Sequence, residues 1–316
     1  MTSTKKKIRD IGEFELIERL RAKTSVDRSV VKGIGDDCAV LKFSKDEYML
    51  ITCDMLVEGI HFDLKFATPW LVGRKALASC ISDIAAMGGV PKDALVAIGI
   101  DPGMSLRFVD RLYHGMKQMA HRFGINIVGG DLVRSKRLNI STSLTGFVKK
   151  DRLTLRSGAK DNDAVMVTGT LGGSIYRKHL TFIPRLGEAQ VLVKRFKINS
   201  MIDISDGLAQ DLDHISGESG LGAIIYERDI PISPSAYRQA KKEGKGPLQL
   251  ALGDGEDYEL LFTMSKKEAR RLLSSRPREL ETRVTMIGQM INEPGLWLID
   301  RRGAKTKLRI EGWRHF

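Results

Sequence analysis

The chain has 316 residues, 42% hydrophobic and 28% charged, with a formal net charge of +12. A single core seldom fills a chain longer than roughly 250–300 residues, so two globular domains are expected. The basic balance suits anionic partners, whether nucleic acid, a membrane surface or phosphorylated small molecules, but the lysines and arginines are scattered and accompany no nucleic-acid motif, so they read chiefly as a solvated face.

Residues 1–10 are polar and Lys-rich with no apolar stretch behind them, so they are not read as a signal peptide. No run of about 18 apolar residues occurs, and no membrane span is expected. Phe14, Leu16, Ile17 and Leu20 predict a helix over residues 13–20. Gly33-Ile-Gly-Asp-Asp-Cys-Ala is a glycine turn that carries Asp36 and Asp37 into an apolar strand. Residues 48–53 predict a strand ending in Asp54, and the segment after it carries Glu58, His61 and Asp63. Thr68-Pro69 starts a helix, with a capping hydroxyl and proline at the first helical position; the helix runs to Met87 and stops at Gly88-Gly89. Asp83 opposes the negative end of that helix's dipole, a place that favours a nearby cation.

Residues 94–99 form an aliphatic strand, 105–123 an amphipathic helix, 125–128 a short strand ending in Gly129-Gly-Asp131, and 139–148 a half-buried strand. The pattern loosens at 149–156, which sets a boundary between domains 1–148 and 149–316. Residues 164–168 predict a strand, followed by a flexible Gly-rich turn over 169–174. Ile202 and Ile204 alternate with polar residues as a strand end, and Leu208, Leu212 and Ile215 then recur at helical spacing. Strands are predicted over 223–226, 284–287 and 296–299, a helix over 265–274, and an acidic loop over 252–262 that runs into a strand. Helices and strands mix in both halves, so the fold class is α+β of mixed α/β type, with two domains and much antiparallel sheet.

Cys38, Cys53 and Cys80 are widely spaced and form no CxxC pair, which argues against a disulfide framework and fits a reducing cytoplasm. P-loop, dinucleotide, HExxH and GxSxG signatures are all missing. What recurs is an acidic turn beside glycine or at an element end: Asp36-Asp37, Asp54, Asp83, Asp131, and Asp203 with Asp206. Carboxylates converging from several elements suit a site for several Mg²⁺ ions that would neutralise a polyphosphate. The plain alternative is that acids at turns solubilise the surface. At 203–206, helix capping accounts for Ser205 or Asp206 but leaves Asp203 unexplained.

Gly33-Ile-Gly-Asp-Asp-Cys-Ala, Thr52-Cys-Asp-Met-Leu-Val-Glu-Gly-Ile-His-Phe, Ser82-Asp-Ile-Ala-Ala-Met-Gly, Gly129-Gly-Asp131, Arg156-Ser-Gly-Ala-Lys, Ile202-Asp-Ile-Ser-Asp-Gly-Leu and Gly255-Glu-Asp-Tyr-Glu-Leu resemble the thiamine-monophosphate kinase family, in order from about Gly12 to Trp313. That family belongs with aminoimidazole-ribonucleotide synthetase and selenophosphate synthetase. The resemblance implies conversion of ATP and thiamine monophosphate to thiamine diphosphate and ADP with Mg²⁺, as the last step of thiamine diphosphate formation. It also implies an N-terminal sheet domain that pairs in a homodimer and a C-terminal α/β sandwich domain. By motif position the metal ligands would be Asp37, Thr52, Asp54, Asp83, Asp131, Asp203 and Asp206, with Asp203 and Asp206 catalytic. Tyr113, Gly129, Gly130, Arg156 and Ser205 would contact ATP, and His61, Glu256 and Trp313 would hold thiamine monophosphate. Trp313 offers a face for a cationic ring, or else covers a core edge.

Two positions depart from the family's pattern. Cys53 stands where Thr is usual; a hard cation prefers oxygen to sulfur, so Cys53 would serve through its backbone carbonyl. Asp254 replaces the first glycine of a pair before Glu256 and adds charge at the substrate end. The other readings are a sister ATP-dependent synthetase, or a non-catalytic dimer that senses nucleotide or binds nucleic acid.

Overall fold

The computed structural model describes residues 7–310 and Gly312. Two mixed sheets organise it. The first contains β1 (Val30–Lys32), β2 (Ala39–Lys42), β3 (Glu47–Val57), β4 (Val90–Ile100), β5 (Asn126–Arg134) and β6 (Asn139–Lys149), in the order β1-β2-β3-β6-β4-β5. Its pairs are antiparallel apart from β4 with β5. Three helices accompany it: α1 (Gly12–Arg21), α2 (Pro69–Ala86) and α3 (Leu106–Phe123).

Local chemistry explains the helix ends. The Thr68 hydroxyl accepts the Leu71 N–H at 3.3 Å with Pro69 at the first helical position, and the Ser105 hydroxyl accepts the Phe108 N–H at 3.2 Å. Gly124 closes α3 in the left-handed conformation. Val40, Leu50, Ala94 and Leu144 of the sheet meet Leu77, Ile81 and Ile84 of α2 in a dry core. The opposite face of the sheet is open, with Met55, Leu95 and Val128 all more than half exposed.

Two strands run further than their sequence suggests. β3 passes through Asp54 to Val57 because all eleven of its residues pair with β6, from Glu47 opposite Lys149 to Val57 opposite Asn139. β5 passes through Gly129-Gly-Asp131 to Arg134, so the glycine pair is not a turn. The register against β4 shifts between Ala94 and Leu95, and a Cβ on Gly130 would lie 1.8 Å from the Val96 carbonyl oxygen. Glycine there permits close backbone approach.

The second sheet contains β7 (Ala164–Thr168), β8 (Ser200–Asp203), β9 (Gly222–Tyr226), β10 (Leu260–Met264), β11 (Val284–Ile291), β12 (Leu296–Ile299) and β13 (Lys305–Lys307), in the order β13-β12-β9-β11-β7-β10-β8. The remaining helices are α4 (Lys178–Thr181), α5 (Leu186–Arg195), α6 (Leu208–Ser219), α7 (Pro234–Glu243), α8 (Pro247–Gly253) and α9 (Lys266–Ser274). Val165, Val167, Ile202 and Leu261 bury one face of this sheet with Leu208, Leu212 and Ile215 of α6. Met166, Met201, Phe262 and Met264 bury the other with Ala189 and Leu192 of α5 and Ala269 and Leu272 of α9. Strands covered on both faces read as continuous apolar runs, as β7 and β10 do. The sequence reading passed over α7 and α8, although Ser233-Pro234 carries the same start signal as Thr68-Pro69 and Ser233 accepts the Ala236 N–H at 3.0 Å.

Helix α2 lies between the two halves, against β3 and β6 on one side and β8, α4 and α5 on the other. Helix α3 holds it from outside at very short range: a Cβ on Gly73 would lie 1.9 Å from the Leu112 carbonyl oxygen, and one on Gly115 2.0 Å from that of Trp70. Overpacking a contact of this kind costs about 3 kcal/mol or more. Gly115→Val is therefore expected to lower the urea midpoint sharply without changing the slope, and an unaltered midpoint would mean that α2 and α3 do not meet there.

Candidate active site

Four elements deliver carboxylates to one buried region. The β1–β2 turn brings Asp36 and Asp37, β3 brings Asp54, α2 brings Asp83, and the end of β8 brings Asp203. Alternation along β3 sends Thr52 and Asp54 to the same face, and the Thr52 hydroxyl donates to Asp83 Oδ2 at 2.6 Å. Ser82 donates to Asp203 Oδ2 at 2.5 Å. Arg156 forks onto Asp37 Oδ1 through Nε at 3.1 Å and Nη2 at 2.6 Å. Burial lowers the Arg156 pKa, but Asp37 more than offsets it and the net shift is upward.

Electrostatically the acids are under strain. Burial, then the charge of Asp37, raises Asp203 to about 8 and Asp36 to about 7. Burial also raises Asp37 and Asp54, and pushes Asp83 well above the usual carboxylate range, with Asp54 and Asp203 adding repulsion. Asp37 Oδ2 is buried and has no hydrogen-bond partner among the described residues. An all-oxygen donor set with mutual repulsion and an orphaned carboxylate oxygen fits a hard divalent cation such as Mg²⁺.

Next to this region Asp206, Asp211 and His214 bring ligand atoms within 4.8 Å of one another. Helix capping does not explain Ser205 or Asp206. The N-cap is Gly207, with φ 115° and no side-chain cap, and the N–H groups of Asp206 and Gly207 donate to Asp211 Oδ2 at 3.2 and 3.0 Å.

A cavity of about 600 Å³ opens beside the acids, lined by Asp54, His61, Ser205, Asp206, Glu256 and Tyr258 among others. His61 Nδ1 accepts the Val57 N–H at 2.9 Å, which leaves the proton of the neutral ring on Nε2. The loop behind the cavity uses each of its side chains. Asp254 accepts the Gly173 N–H at 3.1 Å. Glu256 meets His179 Nδ1 at 2.7 Å, and Asp257 accepts the Gly172 N–H. Tyr258 stacks on Phe182 with centroids 4.0 Å apart, and Glu259 takes Arg185 and Lys178 at 2.6 and 2.9 Å. Glu256 and Tyr258 hold left-handed backbones, φ 54° and 50°, a conformation uncommon outside glycine that collects at functional sites.

Asp37, Thr52, Asp54, Asp83, Asp203 and Arg156 thus gather in one region, and Ser205, Asp206, His61 and Glu256 face the adjoining cavity. Others stand apart. The Cys53 side chain points to the opposite face of β3, exposed, with Sγ 3.4 Å from Ser141 Oγ, so its thiol is no part of the cluster. Asp131 is exposed on β5, in the row Met55–Ser141–Ala97–Asp131. It lies three strands from β3, roughly 14 Å away, on the face opposite Asp54. Its own chain therefore does not bring it to the other acids. Gly129 and Gly130 lie beside it, and Tyr113 packs into the apolar cluster of Leu56, Val96 and Ile98. Trp313 lies outside the described residues.

Residues passed over in the sequence are Lys75, Ser79, His179 and Asp211. Lys75, Ser79, Ser82 and Asp83 form a polar stripe at i, i+4, i+7 and i+8 on a helix otherwise buried in apolar contacts. That pattern was the available signal.

Residues 35–148 match the family "AIR synthase related protein, N-terminal domain". The chain is 35% identical over 303 residues to the thiamine-monophosphate kinase of Rhodopirellula baltica, covering 93% of each. It is 35% identical over 328 residues to that of Escherichia coli K12, covering 96% of this chain and 98% of the relative. A structure of AaThiL complexed with AMPPCP and TMP superposes with a TM-score of 0.86 at 30% identity, over 99% of this chain and all of the other.

The acids predict a pH response. A carboxyl raised on folding contributes stability that is full below the ordinary carboxylate range and is lost as pH rises through the raised value. In EDTA the thermal midpoint is expected to fall by at least about 3 °C as pH passes through about 7 and about 8, and excess Mg²⁺ to restore it. A midpoint flat across that range in EDTA would contradict the electrostatic picture.

Proposed function

The chain belongs to the thiamine-monophosphate kinase family, and from that premise we propose that it transfers the γ-phosphoryl group of ATP to thiamine monophosphate, giving thiamine diphosphate and ADP. The observation that carries this reading is the join between a buried acidic region and a cavity whose walls hold His61 and Glu256. The ligands named for AaThiL, AMPPCP and TMP, support the same pair of substrates.

Asp37, Thr52, Asp54, Asp83, Asp203 and Asp206 would hold several Mg²⁺ ions, with Cys53 offering its backbone carbonyl. Bound there, the ions would neutralise charge on the donor and acceptor phosphates. Arg156 holds Asp37 in place through Nε and Nη2, and its Nη1 would reach phosphate. Ser205 stands at the mouth of the same cavity. The acceptor phosphate is already anionic, so direct in-line transfer needs positioning and charge neutralisation rather than a strong general base. His61 and Glu256 orient the thiamine moiety, a role we extend to Trp313.

Tyr113, Gly129, Gly130 and Asp131 are assigned to the ATP side. A homodimer paired through the open face and β5 edge of the first sheet would enclose them, with residues 1–148 as the ATP and dimerisation domain and 149–316 completing the phosphate and substrate site. Leu95, Val128 and Val133, exposed on that face, support the pairing, since apolar residues gathered exposed on one face mark an interface. Among the described residues no helix is long and apolar enough to cross a membrane; a cytoplasmic enzyme with no nucleic-acid partner is the reading we adopt.

Purified protein with Mg·ATP and thiamine monophosphate should yield thiamine diphosphate and ADP in equal amounts; ATP hydrolysis without thiamine diphosphate would move the substrate to a sister family. Asp206→Asn should cut kcat by on the order of 100-fold or more with an unchanged thermal midpoint, and near-normal turnover would remove Asp206 from the mechanism. Leu95→Asp should shift sedimentation from dimer to monomer; a wild-type chain that sediments as a monomer would discard the pairing.

A further inference from the structure

Lys75 is fully buried, and burial lowers its pKa while the charge of Glu256 beside it opposes that. Nζ donates to Glu256 Oε1 at 2.5 Å and to the His61 carbonyl oxygen at 2.9 Å. The His179 ring stands against the same carboxylate, with Nδ1 2.7 Å from Glu256 Oε2 and 3.0 Å from Lys75 Nζ. A carboxylate offers only acceptors, so the contact with Oε2 puts the proton on Nδ1. Each oxygen of Glu256 is thus held by a different donor. Arg74, the residue before Lys75, donates to the carbonyls of Leu180 and Phe182 and fixes the segment that presents His179.

The backbone of Glu256 is fixed separately, by its left-handed φ and by its N–H donating to the Ser205 carbonyl at 2.6 Å. Lys75 itself does not line the cavity, so it acts on a ligand there only through the groups it holds. We propose that Lys75, with His179, is a positioning residue for substrate recognition: it locks the Glu256 carboxylate and the His61 main chain into one geometry, so that the two cavity walls present themselves as a unit to the cationic ring of the substrate. The inference rests on the reading that Glu256 and His61 hold thiamine monophosphate.

The locked carboxylate is also kept ionised. Burial alone would raise its pKa, but the hydrogen bond from His179 and the charge of Lys75 bring it below the ordinary value. An ionised carboxylate favours a cationic ring, and a protonated one does not. Because Lys75 sits two turns before Asp83 on α2, the same helix sets the acidic region and the substrate wall in fixed relation.

Steady-state kinetics on the full chain tests this with Lys75→Met, His179→Gln, Glu256→Gln and the double variants Lys75→Met/Glu256→Gln and His179→Gln/Glu256→Gln. Each single change is expected to raise KM for thiamine monophosphate about 10-fold or more, with KM for ATP and kcat within about 3-fold of wild type. Each double variant is expected to be no worse than Glu256→Gln, because the anchors act through that carboxylate. Should Lys75→Met fail to fold, Lys75→Gln and its double with Glu256→Gln read the same coupling, since Lys75, unlike His179, does not line the cavity. Multiplying effects in the doubles, or anchor variants with unchanged KM while Glu256→Gln raises it, would overturn the positioning role. A Glu256→Gln variant with unchanged KM would overturn the substrate role of Glu256 and the inference with it.

Discussion

Carboxylates buried side by side repel one another, and the rest of the structure depends on holding them together. Asp36, Asp37, Asp54, Asp83, Asp203 and Asp211 are each displaced toward the protonated form, by burial first and by their neighbours second. The fold offsets this with hydroxyls on Asp83 and Asp203, the Arg156 fork on Asp37, and Lys32 at 3.6 Å from Asp36. Among the described residues Asp37 Oδ2 still lacks a hydrogen-bond partner. Apolar residues of similar volume would usually be at least as stable in such a place. Stability alone therefore does not account for the cluster, whereas the proposed binding of cations would.

Helix α2 is the strut that makes the arrangement possible. Most of its surface is apolar and buried against both halves of the molecule, so its orientation is set by packing. Its one polar stripe then has no freedom of direction. Lys75 reaches the wall of the cavity, Ser79 lines it, and Ser82 and Asp83 reach the acids. The close approach of α3 at Gly73 and Gly115 removes the remaining play. A rigid element carrying residues for two neighbouring subsites holds their separation to side-chain precision, which positional catalysis requires.

Legibility in the sequence followed the strength of local signals. Thr68-Pro69, Ser105 and Gly124 bound α2 and α3 because caps act within a few residues. Gly129-Gly130 misled, because glycine serves a turn and a close strand approach equally well, and only the pairing of β5 with β4 decides between them. Helix α7 was hidden by composition: Ala236 and Ala240 are its buried residues, too small to make an apolar stripe stand out. At the site, the acids of 36–37, 54, 83 and 203 were legible as residue types at element ends. Asp211 was not, since it looks like any polar residue of an amphipathic helix until its carboxylate is seen to receive two backbone N–H groups. The displacement of Asp131 by three strands was equally invisible, because the strand order places β6 between β3 and β4.

Net charge and site charge have opposite signs, and the proposed reaction needs both. The chain carries +12 overall, while the cavity is lined by Asp54, Asp63, Asp206, Asp254 and Glu256, with no lysine or arginine among the described residues that line it. A positive molecule attracts polyphosphates from a distance and speeds their encounter. At contact, however, bare phosphate would meet carboxylates and be repelled. On the proposed reading the acids would therefore discriminate in favour of phosphate that arrives with divalent cations, and would also favour a substrate whose organic end is itself cationic. Lysines lining the cavity would bind any phosphate with or without metal. Carboxylates would bind only the combination, so on that reading the acidity of the site would be a source of selectivity as well as of metal affinity.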